Sequence, residues 1–93
     1  MRTTFMKVVP DEGMFAYELR ALAFRLYSKK KHKAALHLYL KAEELIDSVK
    51  TVDRIIDKEF ETAKNYSDIA NCRQALKDID GARIALDKCL VLL

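Results

Sequence analysis

The chain has 93 residues, 51% of them apolar and 33% charged, and its 17 Lys and Arg exceed its 14 Asp and Glu to leave a net charge of +3. That length supports one domain with a single small core, burying roughly 60–65% of the unfolded surface. The longest purely apolar run is Leu90-Val91-Leu92-Leu93, far short of the ~20 residues of a membrane span, and the N-terminus shows no apolar signal segment, so the expected location is cytoplasmic.

Both Gly and the one Pro lie outside residues 14–80, and so long a stretch without a strong breaker predicts an all-α fold of about four helices. Residues 1–13 carry β-prone MRTTFMKVV followed by Pro10-Asp11-Glu12-Gly13 and read as an N-terminal arm, leaving residues 14–93 as the helical domain. From Met14, Phe15, Leu19, Leu22, Ala23 and Leu26 form one helical stripe, and Tyr17, Phe24 and Tyr27 form a second. The helix ends near Ser28, where lysines complement its C-terminal dipole. The second helix, about His32 to Asp47, turns Ala35, Leu38, Tyr39, Ala42, Leu45 and Ile46 inward. A turn is expected around residues 48–51, with unbroken helix as the alternative. From Val52 a third apolar series runs to Leu76, with a local break near Asn65 as an option. Asp78 then caps a last helix from Ile79 to about Val91, with Ala82, Leu86 and Cys89 packed inward. Gly81 in its first turn is read as a point where backbones come close.

The two hairpins repeat one motif. Leu22-Ala23 leads to Ala35-x3-Tyr39-x2-Ala42, and Ile69-Ala70 leads to Ala82-x3-Leu86-x2-Cys89, with the same thirteen-residue step in both copies. Small residues at Ala23, Ala35, Ala70 and Ala82 let antiparallel helices approach closely.

This pattern resembles the tetratricopeptide repeat. Leu19, Leu22, Ala23, Leu26, Ala35, Tyr39 and Ala42 match that family's signature in the first copy, and Tyr66, Ile69, Ala70, Ala82, Leu86 and Cys89 in the second. Arg73 stands in place of an aromatic, and Asp47 in place of the terminal Pro. The copies are 47 residues apart, from Leu22 to Ile69, where the family's period is ~34. Placing the extra residues in helices two and three makes both overlong.

The resemblance implies a concave groove lined by the first helix of each repeat, at Tyr17, Arg20, Phe24 and Tyr27 and then at Lys64, Ser67, Asn71 and Gln74. Aromatics and Arg dominate binding energy in such grooves, and Lys, Asn and Gln bond an extended peptide. The expectation is therefore a non-catalytic adaptor for a protein or peptide partner. The competing account packs Tyr17, Phe24 and Tyr27 against the arm or a second copy. In members that bind chaperones an Asn stands where this chain has Phe24, which argues against their carboxylate-gripping activity here. A self-assembling module, a homodimer through Ile84, Leu90 and Leu93, is the rival from another class. A trafficking adaptor resembling the MIT hairpin is a third, on Ala34-Ala35-Leu36-x2-Tyr39.

No phosphate loop, nucleophile elbow or H-E-x-x-H motif is present, so no catalytic residue, cofactor or metal is assigned. His32 and His37 read as structural or solvated, and Cys72 and Cys89 as thiols filling apolar space. Asp57, Glu59 and Glu61 spread over different faces rather than converging as an acid–base pair. The run Lys29-Lys30-Lys31-His32-Lys33 lacks interleaved aromatics and falls at a helix–helix turn, which argues against a nucleic-acid site.

Overall fold

The structure, a computed structural model, describes residues 12–48 and 58–92. They form four helices: α1 Glu12–Ser28, α2 His32–Ser48, α3 Lys58–Ala75 and α4 Ile79–Leu92. No strand occurs among the described residues, and none of their helices is long and apolar enough to cross a membrane. α1 starts two residues ahead of Met14, and α3 is continuous through Asn65. α2 and α3 have 17 and 18 described residues. The predicted turn at 48–51 and the helical extension through the 49–57 stretch fall almost wholly outside the described residues, as does the 1–11 part of the arm.

Consecutive helices pack pairwise, α1 on α2, α2 on α3 and α3 on α4. Ala16 and Leu19 meet Ala42, Leu45 and Ile46 in one cluster. Nearer the turn, Ala23, Leu26 and Tyr27 meet Ala35, Leu36 and Tyr39 in another. Early residues of α1 thus face late residues of α2, so the pair is antiparallel. α3 and α4 run the same way, with Arg73 Nη1 reaching the Gly81 carbonyl at 3.4 Å and Lys88 Nζ lying 5.5 Å from the Tyr66 ring centroid. The four predicted small residues, Ala23, Ala35, Ala70 and Ala82, are all buried.

The two hairpin turns are one structure used twice. Lys30 and Lys77 take left-handed backbone, at φ 65° and 71°. The Lys31 amide donates to the Leu26 carbonyl at 2.9 Å, and the Asp78 amide to the Arg73 carbonyl at 2.7 Å. Lys30 to Tyr27 and Lys77 to Gln74 repeat the inner bond. This pairing closes the carbonyls that a helix end leaves open. The bonded positions of the two turns are 47 apart (26 and 73, 27 and 74, 30 and 77, 31 and 78), the same spacing as the two copies of the sequence motif.

Three expectations are corrected. Leu22, read as part of the first apolar stripe, and Leu86, read as packed inward, are exposed. Each occupies the position of a buried residue in the other copy, Ile69 and Tyr39. Ile69 and Tyr39 sit on the inner helices α2 and α3, which have packed neighbours on two sides, whereas Leu22 and Leu86 lie on the outer helices α1 and α4, each packed mainly on one neighbour. Ala85 is buried in place of Leu86. Gly81, finally, makes room for the cap rather than for a neighbouring backbone. Its amide bonds Asp78 Oδ1 at 3.0 Å, and a Cβ there would lie 2.2 Å from Asp78 Oδ2.

Candidate functional site

On α1, Tyr17, Arg20, Phe24 and Tyr27 share a face by their spacing, and that face looks toward α3. Glu61, Lys64, Asp68 and Asn71 show the same spacing on α3 and look back at it. Between them lies a concavity of about 240 Å³ lined by Tyr17, Arg20, Phe24, Tyr39, Lys64 and Asp68. It adjoins a smaller one of about 50 Å³ lined by Phe24, Tyr27, Tyr39, Asp68 and Asn71. Tyr39, presented from α2 and 2% exposed, closes the floor of both. Tyr17 and Phe24, at 61% and 62% exposure, stand at the mouth.

Arg20 ties the groove together. Its guanidinium donates to Glu61 through Nη1 and to Asp68 through Nη2, the latter at 3.1 Å, with only 10% of the side chain exposed. Its buried Nε makes no hydrogen bond among the described residues. Arg20 both lines the groove and joins α1 to α3, with Glu61 and Asp68 as its two partners. Lys64 Nζ lies 5.1 Å from the Phe60 ring centroid. Tyr27 is half-buried, its ring edge-on to His32 at 5.0 Å between centroids.

Ser67 and Gln74 line neither concavity. Lys64 and Asn71 do line the groove, and Glu61 and Asp68, one step round the helix, complete the α3 face turned toward α1. The signal for Asp68 was present in its i, i+4 and i, i+3 relation to Lys64 and Asn71.

Burial, and then the nearby Asp68 carboxylate, push the Tyr39 phenol far above its ordinary value. Burial, with a 2.8 Å hydrogen bond donated to Glu43 Oε2, pushes Tyr66 up to about 12. Cys72, a free buried thiol, is pushed up to about 11, chiefly by burial and then by Asp68. It is therefore a protonated thiol filling space, not an activated nucleophile. Cys89 is likewise free and buried. No group of three or more His, Cys, Asp or Glu among the described residues is placed to hold a metal ion. Comparison of the chain with family models, curated proteins and solved structures finds no match.

Proposed function

We propose that this chain is a non-catalytic protein-interaction module that takes a peptide or helix of another protein in the groove between α1 and α3. The observation that carries the reading is the pair of exposed rings, Tyr17 and Phe24, over a floor of Tyr39 and beside the polar edge of Lys64, Asp68 and Asn71. Aromatic rings left in water around a concave, partly polar site are the composition of binding hot spots. The repeated turn and the buried alanines support reading the chain as two tetratricopeptide-like hairpins, for which such a groove is the working surface. The buried free thiols fit a reducing, cytoplasmic compartment.

The test is selection of a random-peptide display library on the full chain, followed by NMR mapping of the enriched peptides. Shifts confined to Tyr17, Phe24, Lys64 and Asn71, and binding lost in Phe24→Ala, are expected. Peptides that bind Phe24→Ala undiminished would sink the reading.

A second reading, self-association, is favoured by α4. Ile79, Ile84, Leu86, Leu90 and Val91 are all exposed there. Leu86 occupies the position that Tyr39 holds in α2, where α3 provides cover, so a second copy laid on α4 would repeat an interface the chain already makes. Of the predicted contact residues, Ile84 and Leu90 are among these exposed side chains, and Leu93 lies outside the described residues.

A further inference from the structure

Three rings and a carboxylate converge on the smaller concavity. Phe24, Tyr27 and Tyr39 supply the rings, Asp68 the charge and Asn71 an amide. The groove's two cations, Arg20 and Lys64, line the larger hollow and not this one. Arg20 bonds both Glu61 and Asp68, so its one charge is shared between two carboxylates, while Lys64 Nζ lies over the Phe60 ring. The Glu61 side chain is 13% exposed and that of Asp68 32%, so Asp68 is the carboxylate presented to the groove. Tyr39, held protonated by its burial, keeps a neutral ring beneath it.

We propose, resting on the groove reading above, that this hollow is a cage for one basic side chain, Lys or Arg, of the bound peptide. The cation would lie against the faces of Phe24, Tyr27 and Tyr39, where the ring quadrupoles attract it, with Asp68 as its counter-charge. An apolar side chain in the same place would strip water from Asp68 and return nothing, so the site selects by charge as well as by shape. At about 50 Å³, against the ~10–15 Å³ needed to seat one water, the hollow takes an ammonium or guanidinium head group. The adjoining larger hollow is left for the neighbouring residues of the peptide.

The experiment is an NMR titration of the full chain with butylammonium chloride, butylguanidinium chloride and, as the uncharged counterpart, butan-1-ol, at fixed ionic strength. Shifts at Phe24, Tyr27 and Asn71 with the cations binding about fivefold tighter than the alcohol are expected. Asp68→Asn and Phe24→Leu, each checked for folding by circular dichroism, should both lower that preference. Phe24→Leu alters only an exposed side chain, so it keeps the test valid if Asp68→Asn loosens the helices. Equal binding of butan-1-ol, or a cation preference untouched in Phe24→Leu, overturns the cage. Library peptides that occupy the groove without a fixed Lys or Arg overturn it too, while leaving the groove reading standing. Cation binding at these residues with no peptide enriched supports the cage and removes the groove reading instead.

Discussion

The Asn65 side chain donates its Nδ2 hydrogen bond to the Tyr39 backbone carbonyl at 2.9 Å, joining α3 to α2 inside the core. Asn65 is 1% exposed and its Oδ1 has no partner among the described residues. Replacing Asn65 with Ala should cost roughly 1–3 kcal/mol, read as a shift in the urea midpoint. Asn65→Asp adds a pH signature. Burial raises the carboxyl pKa in the folded state above its unfolded ~3.9, so stability is greatest below that value and falls as pH rises through the folded pKa. The variant should melt closer to wild type at pH 4 than at pH 7, and an equal deficit at both would contradict the buried contact.

The Arg20 ion pairs link residues 41 and 48 positions apart in sequence. Arg20→Met leaves Glu61 and Asp68 facing each other without a cation, at an expected cost of roughly 1.5–3 kcal/mol. A double-mutant cycle with Glu61→Gln should return a clear coupling energy. Additive losses would mean that the pair does not hold α1 to α3.

Lys30 and Lys77 sit in left-handed backbone that glycine adopts without a Cβ penalty. Lys30→Gly and Lys77→Gly should each raise stability by roughly 0.5–1 kcal/mol, the steric relief outweighing the added freedom of the unfolded chain. Lys30→Ala, which keeps the Cβ, should gain nothing. A melting temperature lowered by both glycines would rule out the shared turn geometry.

Tyr66 is raised from 10.0 to about 12 and Cys72 from 9.0 to about 11. Both groups lose their protons more easily in the unfolded chain, so their contribution is complete below pH 9 and is lost as pH rises toward 12. The melting temperature should fall through that window, with tyrosinate absorbance developing as the chain unfolds. Tyr66→Phe should flatten the part of the slope above pH 10. A flat profile from pH 9 to 12 would contradict the burial of both groups.

Sedimentation at tens of micromolar decides whether α4 is covered by a second copy. A wild-type mass of two chains that falls to one in Leu86→Glu, Leu90→Glu is the expected outcome of the self-association reading. A monomeric wild type removes that reading, and a dimer that survives both charges moves the interface elsewhere.

Sequence alone determined whatever repeats locally. The breaker-free middle made the chain helical, small residues at helical spacing marked where helices touch, and Asp78 announced the last helix, because periodicity and capping act within a few residues of one another. The lysine run after Ser28 and the Asp78 cap marked the two hairpin turns. Tertiary structure alone decided which equivalent positions are covered: Ile69 and Tyr39 are buried while Leu22 and Leu86 are not, since cover depends on having a helix on either side. It also turned Asp68 rather than Ser67 and Gln74 toward α1, and committed Arg20 to Glu61 and Asp68. Those outcomes depend on how one helix is rotated against another more than forty residues away, and a side-chain period within either helix carries no record of that rotation.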